Sequence, residues 1–203
     1  MYTLLSGFYR WAVQKDEYFV LILGLDNAGK TTFLEQTKTK FNKRYGHTAA
    51  TNLSKITSTV GLNIGRIDVS SSRLNFWDLG GQEELQALWD KYYAESHGVV
   101  YVVDSTDRQR LHESRAAFDK MIVNETLAGV PLLILANKQD VEGCMGVGDV
   151  KAAFGGGAGV GHRDCLVMPV SALRGDGVNE GIGWMVNCVK RNVHRPPINK
   201  EIS

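Results

Sequence analysis

The run Gly24-Leu-Asp-Asn-Ala-Gly-Lys-Thr31 sets two glycines, a lysine and a hydroxyl at the spacing G-x-x-x-x-G-K-[ST]. Glycines let a backbone curl until successive N–H groups point inward at phosphate oxygens. Leu25, Asp26, Asn27 and Ala28 supply that curled backbone between Gly24 and Gly29. Lys30 is placed to bridge the β- and γ-phosphates, the Thr31 hydroxyl to coordinate Mg²⁺, and Thr32 to reach the α-phosphate. A helix starting at Lys30 adds the partial positive charge of its N-terminus. This motif predicts a nucleoside triphosphate and leaves its base open.

The base is read further along. Asn137-Lys-Gln-Asp140 follows an apolar run. Guanine offers two donors on one edge, which a single carboxylate accepts together in a charge-assisted pair. Adenine would leave the Asp140 charge buried and unpaired. Asn137 suits the N7/O6 edge and also the tying together of loops. The Lys138 stem can cover the face of the base, and the Ser171-Ala172 backbone can donate to guanine O6.

A third constellation senses the terminal phosphate. Asp78-Leu-Gly-Gly-Gln82 ends a predicted strand. Asp78 is expected to hold Mg²⁺ through water, and Gly81 to bring its N–H close because no Cβ intervenes. Gln82, with a donor and an acceptor, suits orienting an attacking water and is the candidate catalytic residue. Upstream, Thr59 opens Thr-Val-Gly-Leu. Its hydroxyl could complete Mg²⁺ coordination only when the γ-phosphate is present. Thr31, Thr59 and Asp78 are therefore the candidate metal ligands. Two loops held by one phosphate make a switch.

These groups need a scaffold that brings them to one edge, and the apolar pattern supplies it. Residues 18–23 (YFVLIL), 98–104 (GVVYVVD), 130–137 (VPLLILAN) and 165–170 read as strands. Residues 61–69 and 73–78 alternate around serines 70–72, which predicts a hairpin. Helical spacing covers 30–40, 108–127 and 178–193. Strands alternating with helices give an α/β class fold, a mostly parallel six-stranded sheet with one antiparallel hairpin and helices on both faces. The polar stretch 42–57, the glycine-rich 155–161 and the polar tail 196–203 read as irregular.

The 203 residues carry 23 Lys+Arg against 22 Asp+Glu, a net charge of +1. That balance argues against nucleic-acid binding through bulk charge. Three cysteines, with no CxxC pair, form neither a disulfide framework nor a zinc site. Apolar runs of six or seven residues are far from the ~20 that a membrane span needs.

Taken together, GLDNAGKT, WDLGGQE (residues 77–83) and NKQD resemble the ADP-ribosylation factor (Arf) and Arf-like branch of the Ras-superfamily small GTPases. The resemblance implies a P-loop GTPase domain over residues 17–195. It implies slow GTP hydrolysis to GDP, with GTP or GDP and Mg²⁺ bound. It further implies an exchange factor, an activating protein and effectors as partners, and a monomer in cytoplasm and at the trans-Golgi, serving vesicle-mediated protein transport. Leu62, Trp77 and Tyr92 fall at the positions of the branch's Phe–Trp–Tyr effector triad, so one ring is missing. The stretch between Thr31 and Thr59 is longer than in a plain Arf.

Residues 1–16 form their own unit. Leu4, Phe8 and Trp11, with Leu5 and Tyr9 beside them, share one helical face, which suits a membrane interface. Branch members carry a myristoylated glycine after Met1; Tyr2 closes that route, and the last four residues offer no cysteine for prenylation. Membrane contact is then expected through the helix and a protein receptor, after GTP-driven release. Two readings stay open on these residues: a GTP-hydrolysing switch, or a GTP-gated binding module with negligible turnover. Asp26 keeps the second alive, because a carboxylate near the γ-phosphate can hinder the attacking water. A P-loop kinase or ATPase would leave Asp140 without a role.

Overall fold

Strand β1 (Asp16–Leu23) shows why the sheet is buried on both sides. Val20 and Ile22 face one way, Leu21 and Leu23 the other, and all four are fully buried. Such two-sided apolar strands need cover on each face. The computed structural model describes residues 15–42, 56, 59, 61–154 and 161–198. Strands β2 (Leu62–Val69), β3 (Ser72–Leu79), β4 (Gly98–Asp104), β5 (Leu132–Asn137) and β6 (Cys165–Pro169) complete one sheet with order β2-β3-β1-β4-β5-β6. Only β2 and β3 pair antiparallel; the other pairs are parallel.

Helices α1 (Lys30–Phe41) and α5 (Val178–Arg191) cover one face, α3 (Leu111–Ile122) and α4 (Val147–Phe154) the other; α2 (Glu83–Gln86) is a single turn at the sheet's edge loops. Phe33 and Leu34 of α1 and Ile182, Met185 and Val189 of α5 meet Val20, Ile22, Val100 and Val102. Opposite, Phe118 and Phe154 stand edge-to-face 5.2 Å apart over Tyr101. Each fully buried ring or branched side chain contributes about 1.5–3 kcal/mol. The parallel strands end at the same edge, so the loops after β1, β3, β4, β5 and β6 gather there.

Three departures from the sequence reading have physical reasons. The helix expected over 108–127 runs only from Leu111 to Ile122; the Asn124 side chain then accepts from the Thr126 N–H and starts a separate turn, Glu125–Leu127. Helix α4 has only two fully buried contacts, Val150 and Phe154, and glycines on either side of Val147 blur its pattern. The tail is the third. Pairing of β4 with β1 starts at Val20, leaving the first half of β1 bare on that side. Residues 192–198 fill the gap: the Ile198 N–H donates to the Glu17 carbonyl at 3.0 Å, and His97 joins Phe19 to Pro196. The amphipathic segment through residue 14, residues 43–55, the glycine-rich 155–160 and the tail from 199 lie outside the described residues.

Candidate functional site

The loop after β1 owes its shape to glycines. Gly24 has φ +138°, and a Cβ there would fall 2.2 Å from the Val102 carbonyl oxygen. Gly29, at φ +93°, precedes α1 without a side-chain cap, and the first turn of α1 holds no acidic residue. Its N-terminal N–H groups are thus left to an anion. Lys30 is buried beneath the loop and donates from Nζ to the Leu25 carbonyl at 2.7 Å. Burial pulls its pKa down to about 8, against the opposing fields of Asp78 and Asp26. Thr32 lies half-buried one residue beyond Thr31.

Four polar side chains converge beside Lys30. The Thr31 hydroxyl donates to Asp78 Oδ2 at 2.6 Å and lies 2.6 Å from the Thr59 hydroxyl. Thr59 and Asn63 reach the same carboxylate oxygen at 3.4 Å. Asp78 Oδ1 is buried and has no hydrogen-bond partner among the described residues. Burial pushes the Asp78 carboxyl up from its ordinary value, the hydrogen bonds and Lys30 opposing. Such an orphan is costly unless something charged completes it.

The segment after β3 closes over this cluster. A Cβ on Gly81 would lie 2.3 Å from the Leu25 carbonyl carbon and 2.4 Å from the Asp26 nitrogen, so the two backbones touch and only glycine fits. The Gly80 N–H donates to Gly61, which ties the segment of Thr59 to that of Gly81. Gln86 and the Trp89 indole donate to the Gly81 and Gly80 carbonyls. Gln82 is exposed ahead of α2. Trp77 and Tyr92 touch edge-on at 5.3 Å, and Leu62 and Ile64 stand 38% and 59% exposed on the outer strand β2.

On the other side, one amide joins three loops. Asn137, buried at the end of β5, donates to the Ala28 carbonyl at 2.8 Å and accepts from the Ala172 N–H at 2.9 Å. Asp140 accepts from the Ser171 hydroxyl at 2.6 Å. Lys138, in the left-handed region at φ +65°, pairs with Asp104 at 2.5 Å. The structure therefore brings the sequence-predicted residues of Gly24–Thr32, Thr59, Asp78, Gly81, Asn137–Asp140 and Ser171–Ala172 to one edge of the sheet.

Sequence reasoning missed Asn63, Asp104, Arg110, Gln86 and Trp89. Asp104 had a signal: it ends β4 directly opposite Asn137 at the end of β5. Arg110 had none, since it pairs with Asp26 across 84 residues.

Fold and loop arrangement define a small GTPase. The ADP-ribosylation factor family model matches residues 4–189. ADP-ribosylation factor-related protein 1 is 66% identical in Bos taurus and 65% in Homo sapiens, each covering 100% of both chains. ADP-ribosylation factor-like protein 3 of Saccharomyces cerevisiae is 45% identical over 98% of this chain and 100% of its own. Among solved structures, the Arl6 BBS3 small GTPase from Trypanosoma brucei with bound nucleotide analogue GppNp superposes with TM-score 0.74. It is 30% identical and covers 86% of this chain and 98% of its own. The chain belongs to the ADP-ribosylation factor family, whose members are GTPases that hydrolyse GTP.

Proposed function

We propose that this chain is a GTP-gated switch that recruits effectors to trans-Golgi membranes, with its phosphates held over Lys30 and its guanine on Asp140. The observation that carries the reading is the meeting of Thr31 and Thr59 on Asp78 Oδ2, while Oδ1 of the same carboxylate stays buried and unpaired among the described residues. All are hard oxygen donors, as Mg²⁺ requires, and among the described residues no cluster of three His, Cys, Asp or Glu offers another metal site. When bound, Mg²⁺ neutralises charge on the terminal phosphates.

This chain's own residues do the rest. Lys30 and the uncapped start of α1 bind the phosphates. Gly24 to Ala28 wrap them with backbone N–H groups, and Thr32 lies nearest the α-phosphate. Gly81 brings its N–H to the γ-phosphate, and Gln82 orients the water that attacks the γ-phosphorus. The bond to the β-phosphate oxygen then breaks, giving GDP and phosphate. Asn137 fixes the base loops, Lys138 covers the ring, Asp140 accepts from its two donors, and Ala172 faces O6. Loss of the γ-phosphate frees the Thr59 and Gly81 segments.

Residues 1–14 supply the membrane contact, together with a protein receptor. Exchange factor, activating protein and effectors act on the two switch segments, and Trp77, Tyr92 and Leu62 meet effectors. The test is competition binding followed by single-turnover hydrolysis. GTP and GDP should displace a fluorescent guanine nucleotide far better than ATP. Gln82→Leu should retain binding, lose turnover and fractionate with Golgi membranes. Equal displacement by ATP overturns the guanine reading, and Golgi retention of a Gln82→Leu chain carrying Phe8→Ala and Trp11→Ala overturns the helix anchor.

A further inference from the structure

Asp26 sits where the phosphate loop faces the segment after β3, since its backbone nitrogen is what a Cβ on Gly81 would strike. A free carboxylate at that place repels the terminal phosphate of a triphosphate. It repels a diphosphate less, because the added charge lies farther off. The carboxylate is not free. Arg110, in the loop between β4 and α3, donates from one terminal nitrogen to Asp26 Oδ1 at 2.7 Å.

Arg110 is itself held in place. Its Nε and the same terminal nitrogen fork onto Glu113 at 2.8 and 3.0 Å, and its backbone N–H donates to Asp107 at 3.1 Å. Glu113 thus fixes the plane of the guanidinium and leaves one N–H aimed at the phosphate loop. The pair is about one-third exposed on both sides, 35% and 33%, which makes it a weak source of stability. Its significance lies in where the charge is cancelled. We propose that Arg110 is a positioning residue of the phosphate site: by pairing Asp26 it draws the carboxylate of the phosphate loop toward itself and offsets its charge, and so sets the preference for GTP over GDP.

This rests on the nucleotide reading above and sharpens it. Asp26 then argues less for a module without turnover, because Arg110, shared with Glu113, answers part of its charge. The strand that leads into this loop ends at Asp104, which pairs with Lys138, so one connection steadies both the phosphate and the base sides.

The test measures Kd for fluorescent GTP and GDP analogues, with Mg²⁺ present, in a double-mutant cycle. Arg110→Ala should lower the GTP-to-GDP affinity ratio by about tenfold, chiefly through GTP. Adding Asp26→Asn should restore the ratio, since the phosphate loop itself then carries no charge to be cancelled. Arg110→Lys, which keeps the charge, should hold most of it and serves if the alanine variant misfolds. An equal fall in GTP and GDP affinity, an unchanged ratio, or a ratio that Asp26→Asn does not restore overturns the proposal while leaving nucleotide binding intact. A parent chain that binds neither nucleotide overturns the nucleotide reading and this proposal together.

Discussion

Lys30 and Asp78 at one end of the sheet and Arg195 and His97 at the other are provided for in opposite ways. At the edge where the parallel strands finish, Lys30 has one acceptor among the described residues and Asp78 keeps a buried oxygen unpaired. At the far end, the Arg195 guanidinium donates to the carbonyls of Tyr93, Ala94, Ser96 and Thr126. His97 there uses both ring nitrogens: Nδ1 accepts from the Phe19 N–H and Nε2–H donates to the Pro196 carbonyl. The orphan near that end, the Ser72 hydroxyl, is neutral and cheaper to leave than a carboxylate. Groups whose charges are already satisfied hold the chain together; Lys30 and Asp78, whose charges are not, are built for something else to complete.

Substitutions can break or sharpen that contrast. The largest effect is expected at Lys30. Lys30→Met should weaken GTP binding by ~10²-fold or more, the scale of losing one focused phosphate donor. The nucleotide-free chain should melt no lower than the parent, because a buried charge has gone. Isothermal titration and thermal unfolding of the same sample check both; a large drop in melting temperature would show that Lys30 holds the fold.

Asp140→Asn comes next. It should cost guanine nucleotides about tenfold or more and shift preference toward xanthine, whose 2-oxo group accepts from the new amide. Competition with xanthosine triphosphate reads the shift.

At the other end the balance reverses. Arg195→Ala should destabilise the fold by about 2 kcal/mol, as several carbonyls lose a charged donor. That corresponds to roughly 4–8 °C in Tm for a chain of this length. The preference for GTP over ATP should not move. A change in base preference without a change in Tm would erase the contrast.

The smallest effect is a pH dependence at His97. Burial holds this imidazole below its ordinary value of 6.5, so the folded chain resists a proton that the unfolded chain accepts. Stability from this group is present above 6.5 and declines as pH falls below it, toward the depressed folded value. Denaturant midpoints between pH 7 and pH 5 should fall more steeply for the parent than for His97→Asn.

Much of the polar edge was legible because its residues are contiguous. A phosphate loop needs glycines, lysine and threonine in one run, and Asn137–Asp140 is likewise one run. The sheet was legible because β4 and β5 are apolar on both faces, which gives continuous runs instead of an ambiguous period. Pairings across the chain were not legible. Arg110 and Asp26, Asn63 and Asp78, and Arg195 with its carbonyls depend on where loops close, and no spacing in the sequence encodes that. The tail read as irregular because its order comes from the bare half of β1 and not from any apolar pattern of its own.

The amide of Asn137 has a consequence of another kind. It grips Ala28 with its donor and Ala172 with its acceptor, so the phosphate loop and the base loops cannot drift apart. The distance between the two subsites is a fixed length, and the amide works as a caliper. A ligand must carry base and phosphates at that one separation, so selection by length accompanies selection by chemistry. Asn137→Asp would turn the donating arm into an acceptor facing the Ala28 carbonyl, and the caliper would open.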